Sequence, residues 1–189
     1  MGYSTILFGA AVRKAGGQRY ICLERNPEFA AVVSSLVNLA GLSSIVRVEV
    51  GSAGDSLRRL KKSGDIGPPG IDLLFLDHYK PAYLPDLKLS EELGLIGPGS
   101  VLAADNVVKP GNPPYLEYVR ASVEDKKRWA GEQKGKGEKI SEGFESRYSR
   151  QYEKREGVEE LDAGTRGDPG LVYQSELVKS FEPTGVPVS

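Results

Sequence analysis

Alternating strand and helix signals over residues 1–120 predict an α/β domain: a mainly parallel sheet with helices on both faces. Three observations carry that expectation. Two apolar runs, Ile71-Asp-Leu-Leu-Phe-Leu and Ser100-Val-Leu-Ala-Ala, have the length and composition of buried strands, and each ends in polar side chains, Asp77-His78-Tyr79-Lys80 and Asp105-Asn106. Val46, Val48 and Val50 alternate with Arg47 and Glu49, the period of a half-buried strand. Between strand signals, Asn26-Pro27 supplies an N-cap and a first-turn proline, and Gly41 supplies the stop of a helix.

Taken in order, Ser4 to Ala15 reads as a helix closed by Gly16-Gly17, and Arg19-Tyr-Ile-Cys-Leu as a short strand ending in Glu24. The next helix places Phe29, Val32, Val33, Leu36 and Ala40 on its apolar face. Asp55 to Lys62 forms a helix with a basic outer face, broken by Gly67-Pro68-Pro69-Gly70. The strand leading to Asp77 is apolar on both faces, as an interior parallel strand requires. Leu87 to Ile96 is a helix, Gly97-Pro98-Gly99 a turn, and Ser100 to Ala104 the following strand. Asn112-Pro113 opens a helix through Tyr115, Leu116, Val119 and Arg120. From Glu124 to Glu160 the chain is rich in Lys, Glu, Arg and Gly, the texture of a solvated helix or mobile insertion, with disorder over 131–137 and Lys126-Lys127-Arg128 on a solvated face. Trp129 and the Tyr148/Tyr152 pair serve local packing there. Leu171-Val-Tyr-Gln-Ser-Glu-Leu-Val then reads as a strand and Glu182-Pro-Thr-Gly as a turn.

At 189 residues the chain suits a single domain, 1–189, with 123–168 as a charged insertion within it. A formal net charge of −1 gives bulk electrostatics no reason to attract nucleic acid or a membrane surface. The single cysteine, Cys22, excludes an intramolecular disulfide and suits a reducing compartment. No apolar run approaches the roughly 20 residues of a membrane-spanning helix, and the first residues lack a secretory leader, so a soluble, cytoplasmic protein is expected.

In open α/β sheets ligands lie outside the carboxyl ends of the strands. Neighbouring strands ending at Asp77 and at Asp105-Asn106 would bring two carboxylates and an amide oxygen together, with Lys80 one turn away. Mg²⁺ prefers such hard oxygen donors and keeps positions open for waters or substrate, whereas zinc would call for His and Cys in combination. The alternative is that Asp77 and Asp105 merely cap the loops after their strands. Lys80 beside a dication is a candidate general base, since nearby positive charge disfavours its ammonium form; an exposed loop lysine is the alternative. His78, the one histidine, has no nucleophile signature near it and suits packing or a hydrogen bond near a cofactor, and Tyr79 suits a pocket wall. Glu24 ends a strand 22 positions after Gly2, the spacing of a carboxylate that clamps ribose hydroxyls. A surface glutamate favouring a helix N-terminus accounts for it equally well.

Leu23-Glu24-Arg25-Asn26-Pro27, then Phe75-Leu76-Asp77-His78-Tyr79-Lys80 with Tyr83-Leu84-Pro85-Asp86, then Leu102-Ala103-Ala104-Asp105-Asn106, resemble the catechol O-methyltransferase family. The match runs in order from Gly2-Tyr3-Ser4 to Tyr118-Val119-Arg120, and Phe181-Glu182-Pro183-Thr184-Gly185 looks like fungal-type members. Caffeoyl-CoA-type O-methyltransferases are the second choice, because they usually carry a small residue where His78 stands.

The resemblance implies a Rossmann-like class I methyltransferase sheet and S-adenosylmethionine as methyl donor. It implies Mg²⁺ held by Asp77, Asp105 and Asn106, and a small-molecule catechol substrate whose hydroxyl Lys80 deprotonates, with Asn106 beside it. Ser4, Glu24, Asp77 and His78 would face the donor, Glu24 at the ribose and Asp77 near the amino group. Against that pattern, the first strand with its acidic-glycine turn is expected to be missing before Met1, and the last strand with its substrate-binding glutamate to be missing as well. Gly157-Val158-Glu159 is not assigned that glutamate's role. Ala53-Gly54 stands where the family often has polar side chains near the adenine. The rival readings are a non-catalytic remnant of the family and a nucleotide-dependent oxidoreductase, the latter disfavoured by the absence of a full glycine fingerprint.

Overall fold

The computed structural model describes residues 2–132, 164–178, 180–181 and 187–188. The expected disorder over 131–137 therefore falls partly outside them, since Gly131 and Glu132 are helical. Tyr148, Tyr152, Gly157-Val158-Glu159 and the turn at 182–185 fall wholly outside. The chain divides into two compact units, Met1–Leu60 and Lys61–Ser189.

In the first unit, helix α1 (Tyr3–Lys14) precedes β1 (Tyr20–Glu24), α2 (Pro27–Leu39) and β2 (Val46–Val50). β1 and β2 pair in parallel, from Tyr20 opposite Val46 to Glu24 opposite Val50. Val33, Val37, Leu42 and Val46 form the core, with Ile6, Tyr20 and Cys22 packed on it. α1 comes so close to β2 at Gly9 that an added Cβ would lie 2.5 Å from a Val46 methyl. The Asn26 side chain caps α2, accepting from the Glu28 and Phe29 amides at 2.8 and 3.3 Å, and Gly41 ends it at φ +66°. Of the expected face of α2, Val33 is buried and Phe29 half-buried, but Val32 and Leu36 are exposed, and Ala30 and Val37 complete the buried stripe instead. The helix is apolar around most of its circumference, so periodicity allows more than one stripe and packing selects among them.

Helix α3 (Ala53–Ser63) runs across the division between units. In the second unit, β3 (Leu73–Leu76) leads through a 3₁₀ turn (Lys80–Ala82) into α4 (Tyr83–Glu92), and β4 (Val101–Ala104) follows. A π turn (Val107–Gly111), α5 (Pro113–Arg120) and α6 (Val123–Glu132) come next. β3 pairs in parallel with β4, Leu73 opposite Val101 and Leu76 opposite Ala104. β3 was expected to be an interior strand, yet among the described residues β4 is its one partner, and Leu73 is 47% exposed. α4 starts at Tyr83, ahead of the expected Leu87; Pro85 is accommodated in the first turn, where amides have no partner within the helix. Leu76, Tyr83, Leu87, Ile96, Tyr115, Tyr118 and Val119 form the core.

Two further segments differ from what their sequence suggests. Lys126 is buried: its Nζ donates to the Leu171 carbonyl at 2.7 Å and lies 4.2 Å from the Tyr118 ring centroid. Trp129 packs on the same core. The segment from Leu171 to Val178 is not a strand; it is held by side chains, with the Tyr173 hydroxyl donating to Glu91, while Val172 and Val178 face solvent. A short antiparallel pair, β5 (Ser180–Phe181) with β6 (Pro187–Val188), follows it.

Candidate active site

Parallel pairing in register sets the site. Because Leu76 lies opposite Ala104, the next residues, Asp77 and Asp105, leave adjacent strands side by side, about 4.8 Å apart at the backbone. The Asp105 amide continues the ladder by donating to the Leu76 carbonyl at 3.0 Å. Asn106 then turns the chain in the left-handed region, φ 57°, a conformation that asparagine tolerates better than most residues. Its amide donates to Asp105 Oδ1 at 2.7 Å, and its carbonyl accepts from Gly111 at 3.2 Å.

Lys80 reaches back to this point from the 3₁₀ turn. Its Nζ donates to Asp77 Oδ1 at 3.3 Å and to the Tyr83 hydroxyl at 2.6 Å, and the Tyr83 hydroxyl donates onward to the Asp105 carbonyl at 3.3 Å. Burial pulls the Lys80 ammonium pKa below its ordinary value, against the opposing pull of Asp77 and Asp105. Burial, reinforced by the same two carboxylates, raises Tyr83 far above the ordinary phenol value, so it stays protonated. His78 shares a 2.9 Å hydrogen bond with Asp86 Oδ2 and stacks on Tyr83 with centroids 4.9 Å apart. Tyr79 is buried at the start of the turn.

The structure thus brings Asp77, His78, Lys80, Asp105 and Asn106 into one unit. Two carboxylates facing one ammonium leave that group with surplus negative charge, and its remaining donor is an amide. Among the described residues no cluster of three or more His, Cys, Asp or Glu is arranged to hold a metal. Two carboxylates with one amide oxygen nevertheless match the hard, partly open set that suits Mg²⁺. Alongside, an open groove of about 490 Å³ borders the π turn, walled by Val107, Val108 and Leu116 with Glu117 and Arg120.

Glu24 and Ser4 belong to the first unit. Glu24 closes β1, and its Oε1 accepts from the Asn26 amide at 2.9 Å, so part of its carboxylate serves the turn into α2. Ser4 is half-buried in the first turn of α1, just after Gly2 at φ +77°. The sequence signalled no site role for Tyr83, and for Asn112 only the opening of α5. The Asn112 side chain both caps α5 at the Tyr115 amide and donates to the Lys80 carbonyl at 2.8 Å. Spacing from Lys80 is the one hint to Tyr83, since residues three apart on a helical turn face one another; the Asn112 link to Lys80 had no local signal.

Residues 1–107 match the family described as a methyltransferase domain. The chain belongs to that family, and its mixed α/β fold, with one small parallel strand pair in each unit, is consistent with a partial Rossmann-like methyltransferase fold. Within it the likeness is to catechol O-methyltransferases. The Bos taurus catechol O-methyltransferase is 43% identical over 121 residues, 64% of this chain and 43% of that protein. Catechol O-methyltransferase B of Danio rerio is 44% identical, covering 64% and 44% of the two chains. The transmembrane O-methyltransferase of Homo sapiens is 36% identical, covering 64% and 40%. The chain therefore spans less than half the length of these three relatives. Among the described residues no helix is long and apolar enough to cross a membrane.

Proposed function

We propose that the protein transfers a methyl group from S-adenosylmethionine to one hydroxyl of a catechol, in a Mg²⁺-dependent reaction. The observation that carries this reading is the placement of Lys80 Nζ, 3.3 Å from Asp77 Oδ1 at the joint end of β3 and β4. The family and its catechol O-methyltransferase relatives support the choice of donor and acceptor.

In this reading Asp77, Asp105 and Asn106 hold Mg²⁺, and Glu24 and Ser4 face the donor's ribose and methionine ends, with Asp77 and His78 also on the donor side. When bound, Mg²⁺ supplies positive charge that acidifies a catechol hydroxyl, and the donor supplies a methyl carbon on a sulfonium. Lys80, its pKa lowered by burial, accepts the hydroxyl proton at Nζ. Bound there, the donor would supply its methyl group to that oxygen, the electron pair of the broken carbon–sulfur bond leaving with sulfur. Asn106 lies beside the acceptor, and Tyr79 closes a wall. Little covalent work falls to the protein, so positioning supplies most of the rate.

The test is to incubate the chain with S-adenosylmethionine, a catechol and Mg²⁺, and to look for the mono-O-methylated product by mass spectrometry. Product that disappears on chelation supports the reading. Absence of both product and donor binding at millimolar donor would show a non-catalytic member of the family.

A further inference from the structure

The Lys80 ammonium is ion-paired with its closest carboxylate, Asp77, at 3.3 Å. Its nearer contact is Tyr83. The Nζ–hydroxyl distance of 2.6 Å is shorter than the 3.3 Å to Asp77 Oδ1. The ammonium also lies 4.8 Å from the Tyr83 ring centroid, within cation–π range. The Tyr83 hydroxyl has one proton, directed to the Asp105 carbonyl at 3.3 Å, so its lone pair is turned toward Lys80. The ring itself is fully buried, stacked on His78 at 4.9 Å and set edge-on to Tyr115 at 5.9 Å. His78 is anchored in turn by Asp86 at 2.9 Å, and the Lys80 main chain by buried Asn112 at 2.8 Å.

We propose that Tyr83 is a positioning residue that, together with Asp77, fixes Lys80 Nζ at the strand ends. This rests on the reading of Lys80 as the base. Phenylalanine at the same place would keep the ring and its packing and lose both hydroxyl contacts.

The experiment uses the chain with its lysines labelled with ¹⁵N at Nζ, at mildly acidic pH and without donor or metal. The Lys80 ammonium signal is assigned by its loss in Lys80→Arg. A signal protected from solvent exchange is expected in the wild type, with cross-relaxation to the Tyr83 ring protons. Tyr83→Phe should lose that protection, and Tyr115→Phe, which alters the same core without touching Lys80, should keep it. A wild-type signal without protection or without contact to Tyr83 overturns the proposal, as does full protection in Tyr83→Phe. The wild-type measurement decides the matter even where a variant fails to fold. In turnover, Tyr83→Phe should lower kcat by about ten- to a hundredfold with the donor KM unchanged; a change confined to KM counts against it. A held ammonium in a chain that makes no methylated product sinks the proposed function and leaves the Tyr83 contact standing.

Discussion

The Tyr118 hydroxyl donates to the Glu91 carboxylate at 2.5 Å, with both residues almost fully buried. Around this pair the second unit is tied together. The Tyr173 hydroxyl and the Asp168 amide also donate to Glu91, the amide at 2.8 Å, and the Arg166 and Gly167 amides donate to Glu92. Lys126 lies over the rings of both Tyr118 and Tyr173. A buried carboxylate needs such donors, because stripping it of water is costly unless hydrogen bonds replace the lost solvation. The cluster sits at the far end of α4 from Tyr83, so the same helix carries a structural anchor at one end and part of the candidate site at the other.

Tyr173→Phe removes one donor from Glu91 and leaves the ring in place. A loss of about 1–3 kcal/mol is expected for a bond to a buried charged acceptor. Urea unfolding measures it, and an unchanged midpoint would show that residues 171–173 are not held to α4 in solution.

Neighbouring lysines should separate sharply. Lys126→Ala removes a buried contact to the Leu171 carbonyl and two aromatic rings, for an expected loss of about 1–3 kcal/mol. Lys127 is exposed, and Lys127→Ala should stay within about 0.5 kcal/mol of the wild type. Equal effects in denaturant titration would restore the solvated-face reading for both.

Stability should fall at alkaline pH, and the sign follows from the tyrosines. Burial raises Tyr115 to about 12, and burial together with Glu91 raises Tyr118 and Tyr173 further. The unfolded chain releases these protons near pH 10 while the folded chain keeps them, so the folded state binds more protons in that range. Their contribution is complete below about pH 10 and is lost progressively above it. Denaturation midpoints that stay flat from about pH 9 to 12 would contradict the burial of these phenols.

Asn26→Ala deletes the α2 cap and should cost about 1 kcal/mol, read as a lower thermal midpoint. No change would mean that the Asn26 side chain does not cap α2 in solution.

Where chemistry is local, the sequence was informative. Asn26-Pro27 and Gly41 mark the ends of α2 through backbone requirements that depend on nothing distant. Asp77 and Asp105 were placed by simple apolar runs that stop, together with the rule that ligands gather at strand ends. What the sequence concealed depends on partners far away along the chain. Lys126 looks solvated beside Lys127 and Arg128, and it is buried because Leu171 and Tyr173 come to it. The segment Leu171 to Val178 reads as a strand, but a strand needs a neighbouring edge, and side-chain anchors hold the segment instead. The choice of face on α2 was open for the same reason.

The proposed site has separable parts. Lys80→Met should lower turnover strongly, by a factor of about 10² or more, while donor affinity measured by calorimetry stays within a few-fold. Unchanged turnover would exclude Lys80 as the base.

The most direct test of the account is the initial rate of catechol methylation at saturating donor as Mg²⁺ is titrated, in the wild type and in Asp105→Ala. A saturable Mg²⁺ dependence is expected in the wild type, and its loss in the variant. A variant that keeps the same Mg²⁺ dependence as the wild type would contradict the assignment of the β3–β4 strand ends as the metal and methyl-transfer site.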